Sequence, residues 1–162
     1  RGTERMKKAV LALVVVAVII LAVVYHQRLF QDDEKRIRQI VAEIEQAAEN
    51  KNTDGIMEHI SGEYSDDSGL NKFLLRRLLD NNFDRVDELR VTVEDADVFV
   101  TGEKATVNLK VTAQAVRQGR IFFPLGSEDE AERPKVTFQK TGTGEWQIVK
   151  IENMDRDFSP GF

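Results

Sequence analysis

The chain has no cysteine, two histidines, three prolines and one tryptophan among its 162 residues. Without cysteine there are no disulfides, no thiolate metal ligands, no lipid-modified cysteine and no cysteine nucleophile. An oxidising bacterial periplasm suits such a chain but is not required by it. Two histidines without a thiol are too few for a transition-metal centre. Asp66, Asp67 and Gly69 miss the spacing of the calcium loop D-x-[DN]-x-[DN]-G-x5-E, and turn-forming roles account for them. No metal and no cofactor are therefore expected. Internal repeats and low-complexity stretches are also absent.

Positive charge is scarce where most of the chain lies. Residues 1–30 hold five basic residues and one acidic one, whereas residues 31–162 hold 18 basic and 27 acidic, a net −9. A body so acidic repels phosphate backbones, which excludes nucleic acid as a partner.

Charge is absent altogether from residues 9–25, a run of 17 without a strongly polar side chain. At 1.5 Å per residue a helix of that length spans roughly 25 Å, and Lys7, Lys8, Tyr25, Leu29 and Phe30 can extend it into the interfaces of a bilayer. The run is longer than the apolar region of a cleaved leader and lacks a small-x-small cleavage pattern, so an uncleaved signal anchor is the expectation. Arg5, Lys7 and Lys8 precede the run and only Arg28 follows it closely. The positive-inside rule then puts the N-terminus in the cytoplasm and the body in the periplasm, a single-pass inner-membrane topology. Ala12 and Ala17 are candidate close-contact positions in the span, although no GxxxG occurs.

Three segments follow: the anchor at 1–30, a water-soluble domain at 31–153 and a Gly/Pro-containing tail at 154–162. Ile37, Ile40, Val41, Ile44, Ala47 and Ala48 recur at helical spacing, which predicts an amphipathic helix over 32–50 with Asp32 or Asp33 as its cap. Asn52-Thr53-Asp54-Gly55 breaks it, a short helix carries Ile56, Met57 and Ile60, and a third begins near Asn71 with Phe73, Leu74, Leu75, Leu78 and Leu79. From Leu89 the period becomes two: 89–93, 98–100, a long strand over 105–115, then 136–138 and 146–151, with turns at 101–104 and 141–144. Three helices before a meandering antiparallel sheet make the fold class α+β.

This order resembles the nuclear transport factor 2-like superfamily. The resemblance covers about 33–153 and rests on the long first helix, Asp54-Gly55-Ile56, the Tyr64-to-Gly69 segment leading into a helix, Val91-Thr92-Val93-Glu94-Asp95, the turn and strand from Gly102 to Val107, and Trp146-Gln147-Ile148. It implies a curved sheet-and-helix cone, shared by enzymes, ligand binders and domains that only dimerise or dock.

Enzymes of that shape place an acid–base group in an apolar pocket beside a tyrosine. The resemblance makes His59, Tyr64 and Trp146 the ligand-pocket candidates here, with structural roles as the alternative for each. No catalytic residue is assigned, because the long strand's inward residues are Ala, Val and Leu. A small-molecule binder or an isomerase- or cyclase-like enzyme is the alternative reading. The apolar run Ile121, Phe122, Phe123, Pro124, Leu125, followed by Glu128, Asp129, Glu130 and Glu132, reads either as an ordinary strand or as a docking patch with a charged rim. Phe158 and Phe162 are further partner-contact candidates in the tail. The function expected is a non-enzymatic accessory subunit of a larger bacterial membrane complex, photosynthetic or respiratory. Its partners are the lipid bilayer, other membrane subunits and, through the sheet, a second copy of the chain as homodimer.

Overall fold

Residues 2–154 are described in a computed structural model, with side chains described for 14–24 and 32–154. They form helices α1 (Gly2–Glu49), α2 (Thr53–Met57) and α3 (Lys72–Phe83), followed by strands β1 (Glu88–Thr101), β2 (Lys104–Arg117), β3 (Arg120–Leu125), β4 (Lys135–Lys140) and β5 (Trp146–Glu152). The chain divides into two units, Arg1–Lys35 and Arg36–Phe162.

In the first unit, residues 14–24 are helical and every one is exposed. The large apolar side chains among them range from 42% exposure at Val24 to 68% at Leu21. Over residues 14–24 this helix is apolar all round. Among the described residues, no helix is long and apolar enough to cross a membrane.

α1 corrects one expectation. Asp32 and Asp33 were expected to cap a new helix, yet both lie inside α1. Residues 31–36 contain no glycine or proline to interrupt a helix that starts upstream.

In the second unit, α1 ends where the sequence demands it: Lys51 takes φ 53°, and the Asn52 side chain accepts a hydrogen bond from the Gly55 N–H at 3.1 Å to cap α2. Asn71 caps α3 in the same way through the Leu74 N–H at 2.9 Å. Ile37 and Ile40 of α1, spaced for one helix face, are fully buried against Met57, Ile60, Ala105, Val107, Val136, Phe138, Trp146 and Ile148.

The sheet order is β1-β2-β4-β5, with β3 also beside β2. β2 is long enough to pair with β1 along its whole length, with β4 over Lys104 to Asn108 and with β3 over Ala113 to Arg117. The two short strands expected at 89–93 and 98–100 are one strand. Its apolar positions shift by three residues between Val93 and Ala96, and a register shift between Val93 and Asp95 absorbs the extra residue so that both halves face the core. Further shifts lie between Ala113 and Ala115 and between Thr137 and Phe138, and such bulges curve a sheet.

Each end of the sheet meets cover. The Val93 and Val91 amides of β1 donate to the Glu45 and Glu49 carboxylates of α1, each at 3.1 Å, and the Arg38 guanidinium donates to the Ala96 carbonyl at 2.6 Å. β5 is lined by residues 59–65: the Ile148 amide donates to the His59 carbonyl, the Ser61 amide to the Ile148 carbonyl and the Ser65 amide to the Val149 carbonyl.

Candidate functional site

Each of the three pocket candidates has partners within the fold. The His59 side chain is 13% exposed, and its Nε2 lies 3.1 Å from Glu43 Oε2. The same glutamate accepts from Gln39 at 2.8 Å and from Arg36 at 3.2 Å through Oε1. Arg36 reaches Glu145 at 3.8 Å. His59 thus ties the chain entering the β5 edge to α1, and its partner carboxylate is already shared among three donors.

Tyr64 is buried, and its hydroxyl donates to Asp66 Oδ2 at 2.9 Å. Asp66 is buried as well. Its Oδ1 accepts from the Ser68 amide at 2.9 Å, the Ser68 hydroxyl at 2.7 Å and the Leu70 amide at 3.1 Å. A carboxylate with this many donors organises a turn. Among the described residues no buried side-chain nitrogen or oxygen lacks a hydrogen-bond partner. Trp146 is 2% exposed, packs in the core and carries the Lys140 ammonium 5.4 Å from its ring centre.

His59 and Tyr64 lie in the segment along β5, and Trp146 is the first residue of that strand. Two open surface grooves are present. One, of about 490 Å³, is lined by Gly62, Asn71, Lys72, Phe73 and Arg76. The other, of about 480 Å³, is lined by Gly126, Ser127, Glu130, Ala131, Glu132, Arg133 and Asn153. Neither includes a pocket candidate. No three His, Asp or Glu side chains gather to hold a metal ion among the described residues. The proton affinity of Lys150 is displaced: hydrogen bonds from its ammonium to Asp67 at 2.9 Å and Glu152 at 3.1 Å raise its pKa above 10.5.

The apolar run lies in strand β3, and two of its side chains are out in solvent. Ile121 is 62% exposed and Phe122 36%. Phe123, Pro124 and Leu125 are half-buried. The Arg117 guanidinium lies 5.7 Å from the Phe122 ring centre. Among the described residues β3 pairs with β2 alone. Sequence reasoning missed a second exposed pair, Phe73 at 70% and Leu74 at 39%, because helical periodicity alone assigns both to a core face. Ala17 lies in the exposed apolar helix, while the Ala12 side chain, Phe158 and Phe162 lie outside the described residues.

Solved structures share this architecture. A nuclear transport factor 2-like protein with a cystatin-like fold from Novosphingobium aromaticivorans superposes with a TM-score of 0.64 at 20% identity, over 81% of this chain and 86% of its own. The domain has the nuclear transport factor 2-like fold. A superfamily protein from Salmonella enterica serovar Typhimurium matches at 0.64 and 12% identity, over 76% of this chain and 90% of that one. A proposed scytalone dehydratase from Novosphingobium aromaticivorans matches at 0.63 and 11%, over 75% and 83%. No protein-family model matches the sequence, and no curated protein matches it. At these identities the nuclear transport factor 2-like likeness covers the fold, and the chemistry must come from this chain's own residues.

Proposed function

We propose that this chain is a membrane-anchored, non-enzymatic accessory subunit whose nuclear transport factor 2-like domain is held on the extracytoplasmic side of the inner membrane. The observation that carries the proposal is the apolar helix at 14–24, whose large side chains are all at least 42% exposed. A helix hydrophobic on every face belongs inside lipid or inside a protein bundle. The uncharged run over 9–25 contains 12 Val, Ile and Leu residues, which contribute roughly −4 to −7 kcal/mol to insertion at a helix centre. The basic flank at Arg5, Lys7 and Lys8 supports the orientation.

A docking role is supported over catalysis by the partners of the candidate groups, which lie beside one buried apolar cluster of Ile37, Ile40, Met57, Val107, Phe138 and Trp146. Tyr64 and His59, the groups a cone-pocket enzyme or ligand binder would use, are engaged by Asp66 and Glu43.

The test is fractionation of native membranes. The chain should stay in the pellet after carbonate washing and emerge from mild detergent in a complex of fixed stoichiometry with other membrane subunits. Release by carbonate would refute the anchor, and a lone monomer in mild detergent would refute the accessory role.

A further inference from the structure

The domain has an end at which α1 enters it. Arg38 of α1 donates to the Ala96 carbonyl of β1 at 2.6 Å, and Arg36 lies 3.8 Å from Glu145, just before β5. The Lys140 amide at the end of β4 donates to the Glu103 carbonyl in the β1–β2 turn at 2.8 Å. The turns at 101–104 and 141–145 therefore share this end with the first residues of α1 in the domain. Lys51 marks the opposite end, where its ammonium reaches the Val86 and Asp87 carbonyls at 3.1 and 3.2 Å. Directly paired strand residues point to one face of a sheet. On the face turned away from the core, the last two rows at the entry end are Thr101–Lys104–Gln139 and Phe99–Thr106–Thr137. Gln147 and Lys150 of β5 continue them. Neither row holds a carboxylate, whereas the next row inward holds Asp97 and β1 continues to Glu94 and Glu88.

Phe99, 59% exposed, is the large apolar side chain of that patch. From its place we infer that this end of the sheet face rests on the headgroup region of the bilayer, with Phe99 as an interfacial anchor and Lys104 against lipid phosphates. The contact depends on the membrane anchor proposed above and adds a second, separate attachment to lipid. Ten residues, 26–35, separate the uncharged run from Arg36. They reach about 15 Å as a helix and about 35 Å fully extended, which keeps the entry end of the domain close to any bilayer that holds the run. Charge selects the face. A body with 27 acidic and 18 basic residues is repelled by anionic headgroups, and two rows without a carboxylate are what such a surface accepts. Glu103 and Glu145 lie in the turns at the rim, the latter against Arg36. A lone exposed phenylalanine is ordinary on a surface that meets only water. Within reach of a bilayer it gains by entering the boundary between headgroups and acyl chains.

The absence of cysteine allows single labels to be placed. Full-length Thr101→Cys, carrying an environment-sensitive fluorophore, is reconstituted in phosphatidylethanolamine–phosphatidylglycerol vesicles that contain lipid with a headgroup-level quencher. Thr101 is exposed and shares its face with Phe99, and Asn81 on α3 is an exposed control. The label at 101 should be quenched several-fold more strongly than the same label on Asn81→Cys. Adding Phe99→Asp should return it to the level seen at 81. Phe99 is already exposed, so the circular dichroism spectrum should not change. Quenching no stronger at 101 than at 81, or unaffected by Phe99→Asp, overturns the contact. Shielding at 101 that rises with protein density without quenching by lipid means that another protein covers the face, and overturns it too. A label on Val18→Cys, read with a quencher deep in the bilayer, reports the anchor separately. Quenching at 18 with none at 101 refutes the contact and leaves the anchor standing, while no quenching at 18 refutes the anchor and the contact with it.

Discussion

Two edges of one sheet are treated in opposite ways. The outer amides of β1 at Val91 and Val93 are met by Glu49 and Glu45, and the Ala96 carbonyl by Arg38. The edge at Ile121 and Phe123 in β3 has no such cover among the described residues. An uncovered strand edge invites another strand, and folds usually close it with charge, a bulge or a neighbouring element. Here α1 supplies two carboxylates spaced four residues apart, one helical turn, to amides spaced two residues apart along a strand. The match is geometric: about 6 Å of rise along the helix against about 6.8 Å along the strand. What the difference teaches is that exposure of β3 is local, and that the same molecule has the means to close an edge elsewhere.

The comparison can be broken most severely from the β5 side, whose cover depends on Ile60. Ile60→Ala removes a side chain that is 2% exposed, at a residue whose backbone bridges to Ile148, and should cost about 2–5 kcal/mol in chemical unfolding. Next comes the segment behind that cover: Tyr64→Phe takes away the hydroxyl that donates to buried Asp66, with an expected loss of about 1–3 kcal/mol by the same measurement. On the β1 side, Glu45→Ala should cost about 1 kcal/mol and speed hydrogen exchange at the Val93 amide, while leaving the Val91 amide, held by Glu49, little changed. Equal acceleration at both amides would mean that α1 lifts as a whole and that the carboxylates do not act individually. Smallest of all, Arg76→Ala at the exposed pair with Asp54 should change stability by less than about 1 kcal/mol.

Lys150 gives a pH test of the β5 side. Its pKa is raised in the folded state by Asp67 first and Glu152 second. The folded protein therefore holds this proton more tightly than the unfolded chain. Its contribution is complete below the ordinary value of 10.5 and is lost as pH rises through the folded value. Stability measured above pH 10 should fall more steeply for the wild type than for Lys150→Met, and parallel curves would show that the contacts with Asp67 and Glu152 are not made in solution.

Much of this was legible in the residues. The stripe from Ile37 to Ala48 placed the end of α1, though not its start, and the break at Asn52-Thr53-Asp54-Gly55, the helix start near Asn71 and the alternation from Ala105 to Ala115 each placed an element within a few positions of where it lies. They were legible because local periodicity and side-chain capping depend on neighbours within about one turn. The single strand over 88–101 was harder to see, because a bulge appears in a sequence as a break in period. The candidate site was legible in residue type only. Tyr64 and His59 are what a catalytic pocket would use, but their partners decide what they do. Asp66 is two residues from Tyr64, and Glu43 is sixteen residues from His59, in α1.

By itself, the sequence determined the absence of thiol chemistry, the acidic body, the uncharged apolar run at 9–25 and the α+β order of elements, since each is a matter of composition or of short-range pattern. Tertiary structure alone decided that His59 meets Glu43, that Tyr64 meets Asp66, and that the β1 edge is covered while, among the described residues, the β3 edge is not. Those outcomes depend on which distant side chains meet, and no local pattern encodes a contact between residues 45 and 93.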